Sequence, residues 1–389
     1  MERNALVLVF SNLLHDARVK RQIGFLQKDF TVTVAAFNGN AESGFELIRI
    51  SQTKLTPPRK VLLAIALIFR QFNLAYRLFH DYGWLVNRLR NRHFDLVIAN
   101  DADTLPLAFR IAPKARILFD AHEYAPRHFE DKWWWRVFFQ PFYLHLCRTW
   151  IPKTAAMTTV GRGLAAEYEK NFGKRPLVIT NAPVRSGLKP SAMKEGRIRL
   201  VHHGIANPSR RLELMFELMD RLDSRFTLDL ILLTSDFASP ATKKYIEALK
   251  SRAEGNPAIR ILPPLPSHEL VSAINAYDMG VFLLPPVNFN YENTLPNKFF
   301  EFIQAGLGVA IGPTPEMAEI VKEKGIGVVS EDFTAASLAQ CMNAISTEEV
   351  MRFKVRSSQI ATEYCAEVNG EAFRELISGM FGRQGNLLA

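Results

Sequence analysis

Ala5-Leu6-Val7-Leu8-Val9-Phe10-Ser11-Asn12 is a continuous apolar run that stops at two polar residues. A run of this kind reads as a strand buried on both faces of a parallel sheet. His15-Asp16-Ala17-Arg18-Val19-Lys20-Arg21-Gln22 follows as a polar loop entering a helix with apolar positions Val19, Ile23 and Leu26, and Thr31 to Phe37 reads as the next strand. Strand, helix and strand in this order make the βαβ unit of a doubly wound α/β fold.

Outward from that unit the pattern continues. Leu47 to Ile50 predicts a short third strand, residues 60–93 a helical stretch studded with arginines, and Phe94 to Asn100 a buried strand ending in Asp101-Ala102-Asp103. Ala115 to Phe119 ends in Asp120-Ala121-His122-Glu123; an aromatic, basic helix is expected over 129–150 and a strand at Ala156 to Val160, and Pro176 to Pro183 closes the first half. Polar clusters at the carboxyl ends of successive strands are where open α/β sheets place their ligands. A Ser-, Gly-, Lys- and Pro-rich linker from Val184 to Gly196 then separates two halves. Beyond it, strands at 199–204, 227–233, 259–262, 279–284, 308–312 and 326–329 alternate with helices in a second βαβ series. The expected domains are residues 1–185 and 197–345, with a helical region at 346–389 that packs back on the first domain. Two such sheets joined by one linker leave a cleft, a usual home for a ligand.

The chain has 389 residues, 48% hydrophobic and 22% charged, which fits globular domains rather than disorder. A formal charge of +9 and a pI near 9.4 imply an anionic partner: nucleic acid, a phosphorylated small molecule or an acidic membrane surface. No RNA-binding aromatic signature or basic tail is present, so nucleic acid is set aside. The three cysteines, Cys147, Cys341 and Cys365, are too few for a disulfide scaffold and lack metal-ligand spacing, which predicts a reducing, cytoplasmic setting. No secretory signal is visible. The apolar stretch Val61 to Phe69, cut by Arg70, is far short of the roughly 20 residues a spanning helix needs. Three adjacent tryptophans, Trp133 to Trp135, cannot all face one core; that helix either packs on the sheet or lies on an anionic membrane surface.

Two stretches offer phosphate chemistry. In Glu292-Asn293-Thr294-Leu295-Pro296-Asn297-Lys298-Phe299-Phe300-Glu301, Thr294 is expected to cap a helix with Pro296 in its first turn. The N-terminus of that helix would face an anion with free N–H groups, Lys298 would add charge, and Glu301, one turn in, would accept sugar hydroxyls. In Gly204-Ile205-Ala206-Asn207-Pro208-Ser209-Arg210-Arg211, a glycine allowing close backbone approach precedes two cations, the parts a diphosphate needs. An ordinary amphipathic helix and a βα turn with solvated arginines account for these stretches equally well one at a time. Neither a Walker A loop nor GxGxxG is present, and no GxSxG, HExxH or paired CxxC. Asp120, His122 and Glu123 after a strand offer acid, base and imidazole; Asp16 either hydrogen-bonds a sugar or stabilises a helix dipole.

Taken together these pieces resemble the retaining GT-B glycosyltransferases of group 1, or family 4, over nearly the whole chain. The likeness rests on Asp16-Ala17-Arg18-Val19, Asn100-Asp101-Ala102-Asp103, Asp120-Ala121-His122-Glu123, Thr180-Asn181-Ala182-Pro183, His203-Gly204 through Arg210, and Leu295 to Glu301 with Ala305-Gly306. The resemblance implies two Rossmann-like domains facing each other across a cleft, and transfer of a sugar from a UDP- or GDP-linked donor with retention, without a metal or other cofactor. Glu301 matches the family glutamate that binds the nucleotide ribose. Its partner, separated from it by seven intervening residues and usually a ligand of the donor sugar, is Asn293 here, with Glu292 beside it as the alternative. Arg210 matches the diphosphate-binding lysine; the arginine expected after the glycine is Ile205, with Arg211 and Lys298 as nearby cations. Leu295 and Asn297 fall in the donor-binding motif, and His122 matches a residue at the reaction centre. The implied acceptor is a glycan or a lipid-linked sugar in cell-surface polysaccharide synthesis, met at the inner face of an anionic membrane. The competing reading is a non-catalytic relative that binds a nucleotide-sugar or glycan as a scaffold.

Overall fold

The computed structural model describes residues 3–40, 44–234 and 239–382. It divides into two compact units, one made of residues up to 180 together with 288–290 and 369 onward, the other of 181–287 and 291–368.

The first unit is built on seven parallel strands: β1 (Arg3–Leu8), β2 (Phe30–Ala36), β3 (Phe45–Arg49), β4 (Leu96–Asn100), β5 (Arg116–Ala121), β6 (Ala156–Thr159) and β7 (Leu177–Val178), in the order β3-β2-β1-β4-β5-β6-β7. The two faces of β1 show why its run is continuously apolar. Leu6 and Leu8 enter one core cluster while Ala5, Val7 and Val9 enter the other, and every one of them is buried. Helix α1 (Ala17–Leu26) packs on the second face through Val19, Ile23 and Leu26, and Asp16 caps it by accepting from the Val19 N–H.

The stretch at 60–93 is three helices rather than one: α2 (Pro57–Ile68), α3 (Phe72–Phe79) and α4 (Gly83–Leu89). The first break falls at Arg70, whose φ of 53° is incompatible with a right-handed helix. Next come α5 (Leu105–Ile111), α6 (Gln140–Trp150) and α7 (Arg162–Phe172). The expected helix at 129–150 is also interrupted. Trp135–Phe139 form a widened turn immediately before Pro141, which has no N–H to continue an α-helical ladder. Trp135 is buried against Tyr143, whereas Trp133 and Trp134 are exposed. In the closing stretch 176–183 only β7 is a strand, and Asn181 to Lys194 has no regular structure.

The second unit holds six parallel strands, β8 (Ile198–Ile205), β9 (Phe226–Leu233), β10 (Ile259–Leu262), β11 (Met279–Phe282), β12 (Gly308–Ile311) and β13 (Gly327–Val329), ordered β10-β9-β8-β11-β12-β13. In each sheet the order reverses beside the first strand, at β1–β4 and at β8–β11, the switch points where such sheets bind ligands. Helices α8 (Glu213–Met219), α9 (Pro240–Glu254), α10 (Ser267–Ile274), the short α11 (Phe289–Glu292, whose first two residues are counted with the first unit), α12 (Asn297–Gln304), α13 (Pro315–Lys324), α14 (Ala335–Asn343) and α15 (Thr347–Ile360) complete the series. Helix α15 belongs to the second unit, where the fully buried Lys354 bonds Asp278 at 3.0 Å, the Tyr277 carbonyl at 2.9 Å and Ser191 at 3.0 Å. From residue 369 onward α16 (Ala366–Met380) belongs to the first unit, with Phe373 and Ile377 in the cluster that holds Val7 and Ile23. Among the described residues no helix is long and apolar enough to cross a membrane.

Candidate active site

At the carboxyl end of β8 the chain turns at Gly204, with φ at +132°. A Cβ there would be strained and would sit 3.1 Å from the Lys298 ammonium. Glycine therefore brings the backbone against the cation. The turn beyond it is organised by Asn207, whose side-chain oxygen accepts from the Ser209 N–H at 3.0 Å, and Arg211 follows in the left-handed region at φ 51°. Arg210 lies 5.2 Å above the ring of Tyr291, and the Ser209 and Tyr291 hydroxyls are 3.1 Å apart. Arg211 turns aside to pair with Glu213 at 2.5 Å.

The helix expected to carry Lys298 and Glu301 starts later than the sequence suggests. Pro296 is its cap residue, extended at φ −79° and ψ 156°, and Thr294 caps nothing there; no side chain caps this end. The residue before a proline is pushed away from helical geometry, so Leu295 stays outside α12 and sinks into the core at 4% exposure. Asn297 becomes the first helical residue.

These elements enclose an open cavity of ≈ 330 Å³ in the second unit. Gly204, Arg210, Asn297, Lys298 and Glu301 line it, and Ile205, Ile231, Leu233, Pro264, Leu265 and Leu270 supply an apolar wall. Five of the expected donor-binding residues thus meet in one place. Arg211 and Leu295 lie outside that lining, as do Glu292, exposed at the end of α11, and the half-buried Asn293.

Two adjacent histidines, His203 named in the sequence only as part of a motif and His202 not at all, prove to belong to the site. His202 Nδ1 lies 2.8 Å from the Val281 carbonyl, which fixes the proton on that nitrogen and leaves Nε2 to accept from Lys298 at 3.3 Å. Burial, then the Lys298 charge, holds its pKa well below the usual value. His203 Nε2 is 3.4 Å from Glu301 Oε2. Burial and Lys298 push the His203 pKa down to about 3, so the ring is neutral and this approach is not an ion pair. Lys298 itself, desolvated and beside Arg210, is pushed down to about 7 despite the opposing Glu301 charge. A lysine poised near neutrality is a cation in want of an anion.

In the first unit, β4 and β5 are neighbours with Asn100 opposite Asp120, so the clusters that follow them meet. Asp101 takes up the left-handed region at φ 63° and accepts from both the backbone N–H and the ring of His122, Oδ2 lying 2.8 Å from Nδ1. Burial and Arg18 oppose protonation of His122, but Asp101 and Asp120 outweigh them and raise its pKa. The other ring nitrogen, Nε2, is buried and has no hydrogen-bond partner among the described residues. Asp120 is taken up by Arg18, Gln22 at 2.5 Å and Thr158 at 2.5 Å, an internal network. Asp16 accepts from Ser11 Oγ at 2.6 Å and from the Val19 N–H. Asp101 as the orienter of His122 was missed, although both follow strands that proved adjacent. Among the described residues no three His, Cys, Asp or Glu side chains converge as a metal site.

The fold defined by these two parallel-sheet units is GT-B, the fold of a large class of glycosyltransferases. Solved structures show the likeness: Anabaena HepE in complex with UDP-glucose (TM-score 0.68, 13% identity, 97% of this chain and 99% of that one) and sucrose-phosphate synthase from Thermosynechococcus elongatus (0.74, 12%, 98% and 99%). WaaG, a glycosyltransferase involved in lipopolysaccharide biosynthesis, is similar too (0.65, 13%, 96% and 100%). No protein-family model matches the sequence, and no curated protein matches it.

Proposed function

We propose that this chain is a retaining glycosyltransferase that moves a sugar from a nucleotide-sugar to a glycan or lipid-linked acceptor in cell-surface polysaccharide synthesis. The observation that carries the reading is the convergence of Gly204, Arg210, Lys298 and Glu301 on one cavity at the switch point of the second sheet. The diphosphate takes the Gly204 turn, Arg210, Lys298 and the N–H groups of Asn297 and its neighbours at the start of α12. Glu301 accepts the ribose hydroxyls, and the base lies on the apolar wall of Leu265 and Leu270. Negative charge grows on the departing diphosphate as the glycosidic bond breaks, and fixed cations and amide dipoles placed there stabilise that transition state more than the ground state.

The proposal gives the acceptor to the first unit, with His122, oriented by Asp101, as the polar group at the reacting carbon and Asp16 beside the acceptor. Either Asn293 or Glu292 serves the donor sugar. The UDP-glucose bound by Anabaena HepE favours a uridine donor, and the lipopolysaccharide role of WaaG favours a cell-surface product. The excess of basic residues suits an acceptor held on an anionic membrane in the cytoplasm.

The test is UDP and GDP release from a panel of nucleotide-sugars with candidate acceptors, in the presence of EDTA. Glu301→Ala and Arg210→Ala are each expected to lower kcat/KM roughly 100-fold, the scale of one lost charge-assisted contact. Tight nucleotide-sugar binding with no release against any acceptor would favour the scaffold reading; activity abolished by EDTA would remove the metal-free part of the proposal.

A further inference from the structure

Helix α2 is apolar on both sides, a pattern that ordinarily marks a fully buried helix. Its inner side does what that predicts, since Leu63, Ala66 and Leu67 are in the core. Its outer side faces solvent. Val61 is 61% exposed, Ile65 45%, Ile68 57% and Phe69 70%, all on one stripe with Leu62. The patch does not stop there. Val137, on the widened turn that packs against α2, is exposed as well, as are Trp133 and Trp134 just before that turn. Scattered exposed apolar residues need no explanation, but a stripe of large apolar side chains along one helix marks an interaction surface.

The charge around it selects the occupant. Residues 54–92 carry eight Lys or Arg against Asp81 alone, seven of the chain's net charge of +9. Lys60, Arg70, Arg77, Arg88, Lys132 and Arg136 are exposed. Arg59 is withdrawn from that set, binding the Leu78 and Arg77 carbonyls and so tying α2 to the end of α3. A second copy of this chain would have to bring two such cationic rims together, which Coulomb repulsion opposes. A bilayer of anionic lipid offers apolar depth for the stripe and negative headgroups for the rim.

We infer that the outer stripe of α2, led by Ile65, Ile68 and Phe69 and rimmed by Lys60, Arg70 and Arg77, is a docking surface for anionic membranes. The inference deepens the membrane-held acceptor proposed above by naming the surface that reaches the bilayer, and it stands or falls separately from the chemistry.

The test is co-sedimentation of the full chain with vesicles of equal parts phosphatidylglycerol and phosphatidylcholine, against phosphatidylcholine alone, with UDP binding measured on the same samples. Expected is binding to the anionic vesicles that weakens with added salt. Ile65→Asp and Phe69→Asp should each reduce it roughly tenfold or more, and Ile65→Ala to a lesser degree, while UDP affinity stays unchanged. Absence of binding at low salt, or Asp variants that bind as well as the parent, overturns the assignment. So does a concentration-dependent dimer dissolved by the same substitutions, which would make a second copy the occupant. Absence of UDP binding by the parent chain would instead count against the proposed function and leave this result intact.

Discussion

Lys298 concentrates the physics of the candidate site in one side chain. Its ammonium is wedged against Gly204, within 3.3 Å of His202 and over the ring of Phe282 at 4.6 Å, and its pKa is held at about 7 by burial and Arg210. An arriving diphosphate replaces lost hydration and raises that pKa. Above pH 7 binding must therefore take up a proton, and affinity for UDP should fall as pH rises from 7 toward the ordinary lysine value. Calorimetry in buffers of different ionisation enthalpy measures the uptake; a proton count of zero at pH 8 would contradict it. The folding ledger has the opposite sense. A lysine depressed in the folded state destabilises it below pH 7, and the penalty is relieved as pH climbs toward 10, so the unliganded protein should gain stability on that limb while its ligand affinity declines.

At the scale of elements, what was legible was whatever shows as periodicity. The strands of both sheets stand within a few residues of their expected places because runs such as Ala5 to Val9 must be apolar on both faces. Breaks set by a single residue were harder. The αL turn at Arg70 has no glycine to announce it, and Pro296 can be either the first helical residue or the cap; only the packing of Leu295 decides. The residues proposed to bind the donor could be named from the sequence because they sit in consecutive motifs, whereas Asp101–His122 joins two strand ends 21 residues apart. Gly280 offers a test of the packing beneath the site. On β11 a Cβ at Gly280 would meet the Phe302 ring of α12 at 2.2 Å, and a ring wedged between helix and sheet has nowhere to go. Gly280→Ala should cost about 1–3 kcal/mol in chemical denaturation. It should also displace the helix that presents Lys298, raising KM for the donor; wild-type stability would show that the helix yields.

Over the whole molecule, two hydrophobic clusters per sheet give each unit its own core. The longest departure from simple sequence order is α16, whose Phe373 is 2% exposed in the cluster with Val7, Ile23 and Leu26. Asn369 on the same helix bonds the Thr180 carbonyl at 2.9 Å. Phe373→Ala should cost about 3–5 kcal/mol, and hydrogen exchange should show the loss in β1 and α1 rather than in the six-stranded sheet. That arrangement sets a timetable for biosynthesis. A ribosome making this chain delivers β1, α1 and the rest of their sheet early, then spends the whole of 181–368 on other work before supplying the residues that cover Val7 and Ile23. During that interval a greasy flank of the nascent first half stands open, which makes it the natural point of hold for chaperones and the region where an interrupted translation product would begin to clump.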